Sequence, residues 1–177
     1  MRAETIARNY AAALFELGEK SGQTEEHARW LDALAGAIEV TPRVQGVLLA
    51  PKVPKAEKAR LLTEAVASAP KEFKLFLQAV VKRGRQGLLG EIDRAYLQLL
   101  DVKLNRIRAG VTLSRKPDQA LQAAIVETLS RRLGKEVIAT FTEDPAILGG
   151  VVVRLGDRVL DGSVKRRMTR LRRQLLR

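Results

Sequence analysis

The chain contains no cysteine and only one histidine, His27. The first absence excludes disulfides, thiolate metal sites and cysteine nucleophiles, and is compatible with a reducing compartment. The second leaves little for imidazole ligation or acid–base relays. His27 has no obvious serine or aspartate partner in its motif, so it is expected to be a surface histidine rather than a catalytic one. Aromatics are scarce, with one Trp, two Tyr and four Phe. No apolar run approaches the roughly 18 residues that a membrane span needs. The N-terminal MRAETIARNYAAALFELGEK mixes charge throughout, unlike the apolar centre of a signal peptide, so a soluble chain is expected.

What the chain has in excess is positive charge, with 32 Lys and Arg against 20 Asp and Glu, a net +12. The excess is uneven. Residues 1–105 carry 16 basic and 13 acidic side chains, net +3, whereas residues 106–177 carry 16 basic and 7 acidic, net +9. Such a bias suits nucleic acid, an anionic membrane surface or an acidic protein partner, and composition does not choose among them.

The 177 residues, 46% hydrophobic, suffice for one ordinary domain or two small ones. In the first part apolar residues recur at helical spacing, as in Ile6, Tyr10, Leu14 and Leu17, in Trp30, Leu31, Leu34 and Ile38, and in Leu61, Leu62, Ala65 and Val66. Gly22, Thr41-Pro42, Pro51, Pro54, Pro70 and Gly84 punctuate them, Thr41 as an N-cap and Pro42 at the first helical position. Six helices are expected, at about 4–20, 25–38, 42–49, 55–67, 71–83 and 88–105. From Arg106 the period falls to two, with Ile107, Ala109, Val111 and Leu113 alternating with polar positions. A helix over Pro117–Leu133 turns Leu121, Ile125, Leu129 and Leu133 inward and stops at Gly134, after which Val137, Ala139 and Phe141 alternate again. The expected fold is two-domain: an N-terminal all-α six-helix bundle, residues 1–105, followed by a smaller α+β domain, residues 106–177.

The glycines of ILGGVVVRLGDRVLDGSVKRRMTRL, residues 147–171, invite comparison with a phosphate loop. That loop packs its glycines and a Lys-Ser or Lys-Thr pair into one strand-to-helix turn, so that backbone N–H groups converge on the anion. Here they are scattered. Gly149 and Gly150 precede a strand, Gly156-Asp157 marks a hairpin, and Asp161-Gly162-Ser163 offers Asp161 or Ser163 as an N-cap. The glycines are structural punctuation. In the segment that follows, Val164, Met168, Leu171 and Leu175 form one face, expected to pack on the sheet, while Lys165, Arg166, Arg167, Arg170, Arg172, Arg173 and Arg177 form a basic remainder without an acid.

The first and fifth helices are too apolar for one core-facing stripe. Ile6, Ala7, Tyr10, Ala11, Leu14, Phe15 and Leu17 span an arc of roughly 200°. Phe73, Leu75, Phe76, Leu77, Ala79, Val80 and Val81 leave only a narrow polar sector containing Lys74 and Gln78. Either neighbouring helices cover both arcs, or an exposed groove receives an amphipathic helix from another protein.

At this point the residues resemble a family. ARNYAAALFELGEK at the start, LLAPKVPKAEKARLL and VVKRGRQGLLGEI in the middle, and above all LGGVVVRLGDRVLDGSVKRRMTRLRRQL at the end are similar to the delta subunit of bacterial F-type ATP synthase, the relative of the mitochondrial oligomycin-sensitivity-conferring protein. The resemblance covers essentially the whole chain; Met168 and the arginine-rich terminus depart from the commoner leucine and mixed charge. It implies a non-catalytic stator subunit, without cofactor or metal, that resists rotational torque during proton-driven ATP synthesis. The N-terminal domain would bind the catalytic head by accepting the alpha-subunit N-terminal helix between helices 1 and 5, at Tyr10, Ala13, Leu14, Leu17, Phe76, Ala79 and Val80. The C-terminal domain, shaped around Gly150, Asp161 and Ser163, would take the end of the peripheral stalk formed by b subunits. The expected location is the cytoplasmic face of the bacterial cell membrane, peripheral and held only through the complex, with no direct nucleic-acid partner.

Two other classes compete. A basic RNA-binding protein is suggested by the charge and by Gly84-Arg85-Gln86-Gly87, which matches a bare G-x-x-G clamp, although that clamp should join two helices of an αβ unit and here it follows five expected helices. An enzyme would need converging titratable groups, for which the sequence offers no candidate.

Overall fold

The structure is a computed structural model that describes residues 2–175; Met1, Leu176 and Arg177, and the side chains of Arg2 and Leu175, lie outside the described residues. Helices α1 (Arg2–Ser21), α2 (Thr24–Val40), α3 (Pro42–Leu49), α4 (Lys55–Ala65), α5 (Lys71–Lys82) and α6 (Leu89–Lys103) come first, with a 3-10 turn at Gln86–Leu88 before α6. Then follow β1 (Arg106–Leu113), α7 (Gln119–Leu133), β2 (Glu136–Glu143), a 3-10 turn at Pro145–Ile147, β3 (Val151–Leu155), β4 (Arg158–Asp161) and α8 (Val164–Leu175). The chain divides into two compact units between Leu100 and Asp101. That division falls inside α6, because its last turn is tied forward: the Asp101 carboxylate accepts from Arg108 Nε of β1 at 2.7 Å.

Glycine ends the helices where the chain must turn sharply. At Gly22 (φ +70°) and Gly84 (φ +68°) the backbone enters the left-handed region that a side chain disfavours. Gln23 N–H then bonds Gly18 O at 2.8 Å, and Arg85 N–H bonds Val80 O at 2.9 Å, closing α1 and α5 with the paired carbonyl contacts of a Schellman motif. In the first unit Leu14, Leu31, Leu62, Phe73, Leu77 and Ile92 are fully buried. Tyr96 joins them because its hydroxyl finds a partner, donating to the Thr24 carbonyl at 2.9 Å, while its ring meets Phe15 edge-on at 5.5 Å. Lys58 is buried with its ammonium on the Ala50 carbonyl at 2.7 Å, which ties α4 to the end of α3.

His27 contradicts the surface expectation. It is completely buried, in ring contact with Phe73 at 5.9 Å, and neither imidazole nitrogen makes a well-formed hydrogen bond, the Leu14 carbonyl being its polar neighbour. The reason is register: His27 lies on the face of α2 that also carries Thr24, Ala28, Leu31 and Leu34. A side chain added at Gly18 would come within 3.1 Å of its Nδ1, so a glycine faces the ring.

In the second unit the sheet order is β2-β1-β3-β4, with β1 and β2 parallel and the other pairs antiparallel. One face gathers Ala109, Val111, Leu113, Val137 and Val153, and α7 covers it with Ile125, Val126, Leu129 and Leu133. Leu121, expected inward, is 40% exposed. It sits in the first turn after the Asp118 cap, before the helix reaches the sheet face. Gly134 (φ +63°) stops α7 as the pattern requires.

Burial lowers the pKa of His27 below the ordinary histidine value, with the Leu14 carbonyl, Glu26 and Glu72 offsetting part of the effect. A depressed folded pKa means that the unfolded chain binds the proton more readily. The stability that the neutral ring contributes is therefore complete above pH ~6.5 and is lost as pH falls below that, towards the folded value. His27→Leu is expected to flatten the dependence of the thermal midpoint of the helical unit between pH 7.5 and 5.5. Melts followed by circular dichroism check this; an unchanged slope would contradict it.

Candidate functional site

An open groove of about 710 Å³ lies between α1 and α5. From α1 it is walled by Ile6, Asn9, Tyr10, Ala13 and Leu17, and from α5 by Glu72, Leu75, Phe76 and Ala79, with Arg83 and Arg85 just beyond that helix. α1 contributes about 16 Å of wall, or three turns, and α5 about 10 Å, or two. On α1 the core residues Ala7, Ala11 and Leu14 and the groove residues Ile6, Tyr10, Ala13 and Leu17 occupy sectors about a quarter-turn apart. On α5 the sector of Phe73, Leu77 and Val80 and that of Leu75, Phe76 and Ala79 are about a third of a turn apart. The excess apolar width in the sequence thus resolves into two adjacent faces on each helix, one covered and one open.

Five of the seven expected groove residues line the wall: Tyr10, Ala13, Leu17, Phe76 and Ala79. Leu14 and Val80 do not. Both have no exposed surface, because their positions turn them into the core behind the groove. Ile6 and Leu75 belong to the wall and were missed as site residues, although both stood in the arcs read from the sequence; Leu75 is 53% exposed. The Tyr10 and Phe76 rings meet across the groove floor at 6.2 Å, 72° apart in plane. The chemistry is apolar, with charge only at Glu72, Arg83 and Arg85. Trp30 does not line it.

Gly150, Asp161 and Ser163 come together at the root of α8. Gly150 has φ +81°, and a Cβ there would lie 2.5 Å from the Gly162 carbonyl oxygen, so only glycine permits this backbone crossing. Gly162 N–H donates to Val151 O at 2.9 Å and Val164 N–H to Gly149 O at 3.0 Å. Asp161 accepts the Ser163 N–H at 2.9 Å, and Ser163 Oγ caps α8 by accepting Arg166 N–H at 3.2 Å. The Ser163 N–H and hydroxyl hold the Asp161 carboxyl below its usual range. The three residues therefore form a joint that sets the direction of α8.

That direction overturns the expectation that the apolar stripe of α8 packs on the sheet. Val164, Met168 and Leu171 are 40%, 57% and 56% exposed. Lys165, Arg166, Arg167, Arg170 and Arg173 instead line a cleft of about 1170 Å³ over Val151, Val153, Val159 and Leu160. The joint at Gly150 and Ser163 rotates the basic side towards the hairpin. The side chain of Leu175 and the whole of Arg177, also assigned to this surface from sequence, lie outside the described residues.

The G-x-x-G segment is not a nucleic-acid clamp. The N–H groups of Gly84 and Arg85 are consumed in closing α5, and Gln86 Nε2 donates to the Leu48 carbonyl at 2.9 Å. It joins α5 to α6 in an all-helical setting. Among the described residues no cluster of three or more His, Cys, Asp or Glu could hold a metal, and no helix is long and apolar enough to cross a membrane.

Known proteins resemble the chain along nearly its whole length. Residues 6–175 match the family model described as ATP synthase delta (OSCP) subunit. The chain is 38% identical over 176 residues to the ATP synthase subunit delta of Gemmatimonas aurantiaca, covering 99% of this chain and 95% of that one. It is 35% identical over 172 residues to that of Desulforamulus reducens, covering 97% and 95%. A chain in the cryo-EM structure of the Toxoplasma gondii mitochondrial ATP synthase hexamer superposes with a TM-score of 0.73 at 26% identity, covering 97% of each chain.

Gly150→Ala is expected to destabilise the second unit by about 2 kcal/mol or more, because left-handed strain adds to a backbone collision. Gly156→Ala, at φ +57° with nothing within 4 Å of its Cβ, is expected to cost only about 1 kcal/mol. Denaturant melts of the two variants check the order.

Proposed function

The chain belongs to the ATP synthase delta (OSCP) family, and from that premise we propose that its two units hold two different parts of the enzyme. It is a structural, non-catalytic subunit of F-type ATP synthase, acting as a stator linker. In this reading residues 1–105 act as one six-helix bundle on the catalytic head and residues 106–177 take the peripheral stalk. The groove between α1 and α5 receives the N-terminal helix of an alpha subunit, and the second unit receives the end of the b subunits. The protein is peripheral to the membrane, at its cytoplasmic face, and held there through the complex.

The observation that carries the head contact is the open apolar wall of α1 and α5, three turns of the first helix against two of the second, with Leu17 and Leu75 exposed beside Tyr10 and Phe76. Such a wall fits a helix that presents apolar residues at i, i+3 or i+4 and i+7. Burying it contributes roughly 25 cal/mol for each Å² of apolar surface, before the costs of association. A linker needs no nucleophile or proton relay, only two contacts that resist being pulled apart.

Ala79→Asp and Leu17→Asp are expected to weaken binding of a synthetic alpha-subunit N-terminal peptide at least tenfold. An incoming helix would strip water from a carboxylate that has no partner. Lys74→Ala, off the wall, is expected to change affinity less than about twofold. Leu14→Asp and Phe76→Asp would be poorer probes, because Leu14 is core and Phe76 is 7% exposed. Fluorescence anisotropy of a labelled peptide measures the affinities, and circular dichroism confirms folding. Unchanged affinity in both folded Asp variants would remove the groove as the docking site.

A second expectation concerns separability. A fragment of residues 1–105 should fold and bind the alpha-subunit peptide as the full chain does, whereas residues 106–177 should not bind it. Peptide binding retained after deletion of 1–105 would show that the roles are reversed.

A further inference from the structure

From Val164 to Gln174 every side chain of α8 is exposed. A helix of 12 residues is marginal in water without tertiary packing, and this one is held by its cap and by the joint at its root. Its apolar residues follow a pattern. Val164, Met168 and Leu171 are spaced four and three apart, with Leu175, whose side chain is not described, four further on. That is the a and d spacing of a heptad, with Val164 and Leu171 at d and Met168 at a. The positions flanking the seam, e and g, are then Lys165, Arg167, Arg172 and Gln174. Three of the four are cations, and the helix has no acid.

We infer that the exposed seam of α8 seats an amphipathic helix of a partner protein that carries apolar residues at a and d and acidic residues at e and g. The chemistry excludes the alternatives in turn. A second copy of α8 would set Lys165, Arg167 and Arg172 against like charges. The chain's own sheet is met across the cleft by the side of the helix opposite the seam, through Arg166, Arg170 and Arg173, with Lys165 and Arg167 at the margins, and the tie from Val164 N–H to Gly149 O fixes that rotation. A bilayer surface is best bound by a broad apolar half containing Trp or Phe, whereas this face is a narrow seam without aromatics. The acid near the helix, Asp161, reaches Arg166 at 4.0 Å, away from the seam. Lys165, Arg167 and Arg172 are all exposed, the first two at the margins of the cleft, and can reach a partner's carboxylates. The inference rests on the reading of this unit as the stalk-facing one only for the identity of the protein that owns the partner helix.

The test uses the full chain and a labelled peptide of three heptads with Leu at a and d and Glu at e and g, titrated by fluorescence anisotropy. Saturable binding is expected, weakened at least tenfold by Met168→Asp and by Leu171→Asp, and lost when Lys replaces Glu in the peptide. Both substitutions lie on exposed positions, so circular dichroism should be unchanged, and groove-peptide binding by the same variants provides a second check on folding. The inference is overturned if the Glu peptide does not bind, if both variants bind it unchanged, or if the Lys peptide binds equally. Phosphatidylglycerol vesicles that retain the wild type but not the variants, while the peptide fails, would overturn it in favour of a lipid surface. A parallel titration with the soluble part of the b subunit separates the two claims. No binding of b by the wild type, with the Glu peptide still seated, ends the stalk reading and leaves the inference standing; binding of b with the Glu peptide rejected does the reverse.

Discussion

Helix α5 has to bury two faces, and its own unit covers only one. Phe73, Leu77, Val80 and Val81 are sealed in the core, whereas Leu75, Phe76 and Ala79 stand at an open wall. The two faces communicate through rings in contact: Tyr10 meets Phe76 at 6.2 Å, Phe76 meets Phe73 at 6.3 Å, and Phe73 meets His27 at 5.9 Å. The groove wall is therefore the outer surface of the packed core. A wall built this way is already ordered, so less ordering entropy is spent when a helix docks. The same arrangement surrounds the buried histidine: desolvation favours its neutral form, and its ring packs on Phe73.

The second unit leaves a surface open by a different device. Its sheet face is closed by α7, so the uncovered surface is not a leftover of the core. It is produced by a joint of backbone contacts, in which Gly150 allows the Gly162 carbonyl to approach and Ser163 starts α8 in a fixed direction. Replacing either residue would act on orientation, so the residues carried over by resemblance position α8 through backbone contacts. The geometry supplies the reason for the glycines of this segment.

Most of the architecture was legible because the periods are clean. The change from a helical period to alternation near Arg106, the breakers at Gly22 and Gly84 and the stop at Gly134 each correspond to a backbone event in the structure. What was not legible is which side of an apolar arc the fold covers. Leu14 and Ala13 are neighbours in sequence and both stood among the expected groove residues, yet one is core and the other wall, a distinction that depends on where the other helices pack. His27 was misplaced for a simpler reason: the lack of a serine or aspartate partner bears on catalysis and not on burial, which its spacing with Ala28, Leu31 and Leu34 decides. The stripe of α8 was read correctly as a stripe, but its rotation is set by hydrogen bonds at Gly149 and Ser163 that no periodicity encodes.

The two open surfaces differ in the physics that would hold a partner. The groove is apolar along its length with charge only at Glu72, Arg83 and Arg85, so its affinity should follow buried area and respond weakly to salt. The α8 seam is a narrow apolar line bordered by Lys165, Arg167 and Arg172, and attraction between exposed charges is screened over about 8 Å at physiological ionic strength. A linker built from one contact of each kind does not fail at both ends under the same change of conditions. Such a linker would also assemble in a preferred order: charge would steer the basic seam to its partner quickly, whereas the groove would wait for a helix to find its register. With one end held, the other would bind at the effective concentration set by the complex, so two individually modest contacts would suffice to resist torque.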